Sequence, residues 1–240
     1  MDLGNSRAIV TGGASGLGAA TVDWFRSQGA TVVVLDREAG TGAHHVQADV
    51  TSADSTAAAI AQAVGIMGGI DICVNCAGVV TGERTVGRNG PHDLDAFRRV
   101  IEVNLVGSFN VLRLAAAEMA RNGRAENGVI VNTASIAAFD GQKGQAAYAA
   151  SKAGIAGMTL PLARDLAGLN IRVCAIAPGI FATPMLRGLP QDVQDSLAAE
   201  VTFPARLGDP QEFARMAAHI VENAYLNGEV IRLDGALRMR

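Results

Sequence analysis

Short apolar runs alternate along the chain with longer stretches in which apolar residues return every three or four positions. The runs Arg7 to Val10, Ala30 to Leu35, Ile70 to Asn75, Gly128 to Ala134, Ile171 to Ile176 and Glu229 to Leu233 are rich in valine and isoleucine, as strands buried on both faces require. His45 to Val50 is a further short strand. Between them the pattern predicts helices up to about Gln28, from Ser52 to Ile66, from about Leu94 to Arg121, from Tyr148 to about Leu166 and from Gln211 to Glu222. Strand and helix in turn predict an α/β fold: a doubly wound parallel sheet with right-handed crossovers and helices on both faces. At 240 residues this suits one domain, and no linker, repeat or low-complexity segment divides residues 1–240.

Three segments interrupt this rhythm. Pro161 falls inside a predicted helix, where a missing donor costs ~3 kcal/mol, so a kink or break is expected near Thr159. Gly82 to Asp93 is a polar loop carrying Glu83, Arg84 and Arg88. Pro184 to Phe203 sets Met185, Leu186, Leu189, Leu197 and Phe203 among Gly and Pro, the composition either of an apolar lid or of a surface helix pair with one packed face.

Hydrophobic residues make up 49%, enough for a large core, and the net charge of −3 with no basic run argues against a nucleic-acid or anionic-membrane surface. Every apolar run is interrupted before the ~18 residues that span a bilayer. The start, Met1 to Asn5, lacks a basic n-region or an Arg-rich transit pattern, so the expected compartment is cytoplasmic. Three cysteines, Cys73, Cys76 and Cys174, are too few for a disulfide framework, and the Cys73/Cys76 pair at a strand end reads as core rather than metal or redox chemistry. His44, His45, His92 and His219 are scattered without ligand spacing, and no metal is expected.

The first strand runs into Thr11-Gly12-Gly13-Ala14-Ser15-Gly16-Leu17-Gly18 and then a helix. Glycines there permit positive φ and let backbone N–H groups approach a phosphate at the positive end of the helix, so Gly12, Ser15, Gly16, Leu17 and Gly18 predict a pyrophosphate cradle. The second strand ends in Asp36, about 20 residues further on, where a carboxylate accepts from both ribose hydroxyls and repels a 2′-phosphate. This favours NAD over NADP, with Arg37 alongside as a complication. Asp49 and Val50, closing the third strand, are expected to face the adenine. Ligands of open α/β sheets bind outside the carboxyl ends of the strands. That edge gathers Cys76, Ala77 and Gly78, then Ser135, then Pro178, Gly179, Ile180, Phe181 and Thr183.

Tyr148 and Lys152 stand four apart in an alanine-rich run, on one face of a helix. Bringing a phenol from near ~10 to neutrality takes about 4 kcal/mol in favour of the phenolate. A cation at about 4 Å in an effective dielectric of ~20 supplies roughly that much. The pair is thus a candidate acid or base. Asn104, among Val100, Ile101, Leu105 and Val106, is expected to be buried and to need partners, which a kink, a bound water or a catalytic role would each provide.

Together, T-G-x-x-x-G-x-G at Thr11 to Gly18, N-C-A-G at Asn75 to Gly78, Asn104, Ser135, Y-x-x-x-K at Tyr148 to Lys152 and P-G at Pro178 to Gly179 resemble the short-chain dehydrogenases/reductases, a family with a Rossmann-type fold. The resemblance spans both a glycine-rich cofactor half, about 1–130, and a catalytic and lid half, about 131–240. Within the family the chain is most similar to the type 2 3-hydroxyacyl-CoA dehydrogenases, through Val103 to Leu114, Asn132 to Tyr148, Gly157 to Ala167, Phe203 to Pro210 and Leu226 to Ala236. The resemblance implies NAD as cofactor, an acyl-CoA as substrate and a homotetramer. It implies Tyr148 as acid/base, Ser135 as holder of the substrate oxygen, Lys152 as partner of both the tyrosine and the nicotinamide ribose, and Asn104 as holder of a water leading to Lys152. Arg84 or Arg88 would then be candidates for CoA phosphates. A hydroxysteroid or other secondary-alcohol dehydrogenase, or an NAD-binding regulatory or assembly protein, are the competing readings.

Overall fold

The computed structural model describes every residue except Thr41, Ala43, Asn89 and Arg240, and every side chain among them except that of Met185. Seven parallel strands form the main sheet: β1 (Arg7–Thr11), β2 (Thr31–Asp36), β3 (His45–Gln47), β4 (Ile72–Asn75), β7 (Gly128–Thr133), β8 (Ile171–Pro178) and β9 (Val230–Leu233). Their order is β3-β2-β1-β4-β7-β8-β9, so the winding reverses between β1 and β4 and opens a crevice at the carboxyl edge there. The two remaining strands, β5 (Val86–Gly87) and β6 (Gly90–Pro91), make a small antiparallel hairpin inside the polar loop.

Helices cover both faces because the strands are apolar on both. On one face α1 (Gly16–Ser27) and α8 (Pro210–Glu222) bury Val22, Phe25, Phe213 and Ile220 against Val10, Val32 and Val74. On the other, α2 (Ala53–Met67), α3 (Leu94–Ile101), α4 (Gly107–Met119) and α5 (Ala146–Ala167) lie over the opposite side chains, with Ile60, Val111, Leu112 and Met119 packed on Ile9, Val33 and Ile130. Two short helices, α6 (Pro184–Arg187) and α7 (Gln191–Ala199), occupy the expected lid segment.

The structure corrects four expectations. The helix from Leu94 is not uniform: residues Glu102–Val106 form a π-turn between α3 and α4, an extra residue in the turn of the kind that marks functional sites. The stretch Leu94–Met119 also reaches the length and averaged apolarity of a membrane span, although polar residues punctuate each run; half of its most apolar 18 residues are buried inside the protein. Pro161 breaks nothing, since α5 continues through it. The carbonyl that loses its donor belongs to Gly157, which is exposed and has no side chain, so water can reach it. The third strand stops at Gln47, which puts Asp49 and Val50 in the turn before α2, where Ser52 caps the helix by accepting from the Ser55 amide.

Candidate active site

The carboxyl ends of β1, β2, β4, β7 and β8 surround one cleft of about 980 Å³. After β1, Gly12 sits at φ +63° and a Cβ there would stand 2.8 Å from the Ala77 amide; a Cβ on Gly18 would overlap the Gly12 carbonyl. The turn is therefore closed to side chains, leaving Gly12, Ser15, Gly16, Leu17 and Gly18 along the cleft wall at the start of α1. Thr11 Oγ1 accepts from the amides of Cys76 and Ala77, both at 3.1 Å, which sews the segment after β4 to β1. Asp36 accepts from the Ala14 amide at 3.0 Å and from the Glu38 amide at 3.2 Å, holding its carboxylate beside the turn. Asp49 accepts from the Thr51 hydroxyl and amide, and those bonds hold its carboxyl below the usual range. Val50, Cys76, Ala77, Gly78, Pro178, Gly179, Ile180, Phe181 and Thr183 all line the same cleft, as do Ser135, Tyr148 and Lys152. These residues fit a dinucleotide: a glycine turn that Cβ atoms would block, a carboxylate one strand over, and a cleft at the upper end of ligand-site volumes.

Ser135 follows β7 and opens a turn of 3₁₀ helix, Ile136–Ala138. Its Oγ accepts from the Ala137 amide at 3.1 Å, which leaves the hydroxyl proton free to donate. Lys152 is buried, and its Nζ donates to the Thr133 carbonyl at 2.7 Å while standing 5.8 Å from the centre of the Tyr148 ring. Burial pushes the ammonium down to about 8. Burial also pushes the Tyr148 phenol above its ordinary value, with a hydrogen bond to Ser135 pulling the other way. The expected acidification of the phenol is therefore not reached among the protein's own groups: burial raises it, and Ser135 rather than the ammonium is the group that pulls it back.

Asn104 does not line the cleft but lies directly behind it, fully buried in the π-turn. Its Nδ2 donates to the Val79 carbonyl (2.9 Å) and the Ser151 hydroxyl (3.0 Å), and its Oδ1 accepts from the Val79 amide (2.8 Å). Both amide protons are therefore spent clamping the segment that follows Gly78 to α5, and Ser151 passes the link on to the Tyr148 carbonyl at 2.7 Å. Only an Oδ1 lone pair facing Gly78 and Lys152 remains for a water.

Several cleft residues had gone unnoticed in the sequence. Val79 and Val80 simply continue the N-C-A-G stretch and could have been included. Arg99, Glu102, Gln145 and Met239 carry no motif, and only the fold brings them to the wall. Arg37 lines the cleft too, whereas Arg84 and Arg88 stand exposed on the hairpin loop, away from it. Of the lid residues, Leu186 and Leu189 reach the cleft and Phe203 points to solvent. Cys73 and Cys76 are unbridged, and burial pushes the Cys76 thiol up to about 11. Among the described residues no cluster of His, Cys, Asp or Glu could hold a metal.

Residues 6–194 match the short chain dehydrogenase family. The chain is 51% identical to the human 3-hydroxyacyl-CoA dehydrogenase type-2, over 97% of this chain and 95% of that protein. A solved 3-hydroxyacyl-CoA dehydrogenase type-2 from Mycobacterium avium superposes with a TM-score of 0.91 at 43% identity, covering 98% of this chain and 97% of that one. The aldohexose dehydrogenase of Thermoplasma acidophilum reaches the same TM-score, 0.91, at 29% identity, covering 100% of this chain and 96% of that one. The fold by itself thus leaves the substrate open.

Proposed function

The chain belongs to the short chain dehydrogenase family and is an oxidoreductase, and from that premise we propose that it uses NAD to interconvert a 3-hydroxyacyl-CoA and its 3-ketoacyl-CoA. The observation that carries this reading is the meeting of Ser135, Tyr148 and Lys152 in one cleft with the glycine turn and Asp36, in a chain 51% identical to a 3-hydroxyacyl-CoA dehydrogenase type-2.

In the oxidative direction the Tyr148 Oη takes the proton of the substrate hydroxyl, and in reduction it returns it. The Ser135 hydroxyl, its oxygen held by the Ala137 amide, donates its proton to the same substrate oxygen. Lys152, fixed by Thr133, holds positive charge near the phenol and so favours the phenolate when alcohol is oxidised. Asn104 and Ser151 keep the Tyr148 turn and the Val79 segment in register. The nicotinamide, when bound, supplies the hydride acceptor or donor.

Asp36 supports NAD as the cofactor, because its fixed carboxylate meets a 2′-phosphate with like charge. Association into a homotetramer would give cover to exposed apolar side chains such as Val106 in the π-turn, Phe109 on α4 and Leu160 on α5. The test is NADH absorbance with acetoacetyl-CoA, NADPH run in parallel. Consumption of NADH with a clear preference over NADPH is expected; no consumption, with turnover of a steroid or sugar ketone instead, overturns the substrate assignment.

A further inference from the structure

The last described residues return to the cleft from the far edge of the sheet. Arg232, on β9, donates from Nη2 to Asp140 Oδ2 at 2.6 Å and from Nε to Asp234 Oδ2 at 2.7 Å, and again from Nη2 to the Leu237 carbonyl at 3.0 Å. Its guanidinium also lies 5.5 Å over the Phe139 ring. Asp140 is the first residue past the Ser135 turn and Phe139, and its amide donates to the Ile136 carbonyl at 2.9 Å. Leu237 is buried and anchors the segment, while the Gly235 carbonyl accepts from the Phe203 amide at 3.0 Å. Neither Asp140 nor Arg232 lines the cleft, but Met239 does, as do Ile136 and Ala137 of the turn that leads into Asp140.

We propose that Asp140 and Arg232 latch residues 234–239 across the substrate end of the cleft, so that Met239 is a wall that selects substrates by the length of their acyl chain. Asp140 and Arg232 are positioning residues; Met239 is the specificity determinant. The geometry suits this because Arg232 meets two carboxylates on separate segments, Asp140 through Nη2 and Asp234 through Nε, and so ties the two segments together through one planar group. A wall set by one flexible thioether discriminates in steps of methylene size, each about tenfold or more.

The inference rests on the acyl-CoA reading, and the experiment keeps the two apart. The ratio of kcat/KM for an eight-carbon over a four-carbon 3-ketoacyl-CoA is measured for the wild type, Met239→Ala, Asp140→Asn and Arg232→Lys, with NADH affinity followed by nucleotide fluorescence. Met239→Ala should raise the ratio about tenfold, Asp140→Asn should move it in the same direction, and Arg232→Lys should fall between Asp140→Asn and wild type, all with NADH affinity within about twofold. An unchanged ratio in folded Met239→Ala overturns the proposal. So does an equal loss on both substrates in Asp140→Asn, which would make the latch a structural brace. If Asp140→Asn does not fold, Met239→Ala decides alone. If the wild type reduces no acyl-CoA but does reduce simple ketones, the substrate assignment fails, and the same ratio taken on a long and a short 2-alkanone decides the latch.

Discussion

The floor of the cleft and the cover above it are built on opposite principles. In the floor, Asn104, Ser151, Lys152 and Ser135 are buried, and each polar group is held by a named partner: Val79, Tyr148, Thr133, Ala137. In the cover, α7 has no buried residue, Leu189 and Val193 are exposed, and Phe203 is 81% exposed. Low-dielectric hydrogen bonds give the floor one geometry, and losing any member leaves an unsatisfied group. A segment with few apolar contacts opens at low cost and can follow different substrates. The proposed function puts the reaction chemistry in the first region and substrate admission in the second.

The sharpest test of this contrast is Tyr148→Phe, which removes one oxygen from the floor. Turnover should fall about 10³-fold while NAD binding survives, read by steady-state rates and nucleotide fluorescence. Near wild-type turnover would remove the phenol from the mechanism.

Lys152→Met should separate activity from stability. Burial lowers the ammonium from 10.5 to about 8, a penalty of roughly 3 kcal/mol at neutral pH, against about 1 kcal/mol for the lost bond to Thr133. Turnover should drop about a hundredfold while stability rises by about 2 kcal/mol. The sign with pH follows: below about 8 the lysine is charged in both states and the penalty is full. Between about 8 and 10.5 the folded state has released the proton that the unfolded state still holds, so the wild type gains stability as pH rises. The Tm advantage of the variant should therefore narrow from pH 8 to about pH 10. A gap that stays constant over this range would place the lysine in solvent.

Asp36→Ala works at the far end of the floor, where the carboxylate also braces the Ala14 amide. Affinity for NAD should weaken about tenfold or more, and the NADP to NAD preference should rise by at least as much, with Arg37 left beside the ribose. A constant preference would remove Asp36 from ribose recognition.

The smallest effects belong to the cover. Val193→Ala and Leu189→Ala should each change stability by under about 0.5 kcal/mol, and Leu189→Ala should alter KM with kcat held within about twofold. A large loss of kcat from either would mean the cover takes part in the chemistry, and the contrast would fail.

Much of this arrangement was legible before any coordinates. The valine-rich runs with helices between them dictate a parallel sheet, and a parallel sheet brings every strand's carboxyl end to one edge, so Gly12, Asp36, Ala77, Ser135 and Gly179 had to share a cleft. Less was legible where the outcome hung on a partner distant in sequence. Pro161 could pass through a helix because Gly157 happens to face water, a matter of packing rather than of propensity. Asn104 signalled burial through its apolar neighbours, but nothing local told that Val79 and Ser151 would take up its amide.

What the chain's own pattern settled, then, was periodicity, the turn chemistry of its glycines, and the four-residue spacing that puts Tyr148 and Lys152 on one helix face, since all of these are short-range consequences of backbone geometry. Tertiary structure alone decided the protonation balance of that pair, the clamp around Asn104 and the return of Met239 to the cleft. The physical reason is that desolvation and long-range hydrogen bonds depend on which segments surround a group, and no window along the chain contains its neighbours in space.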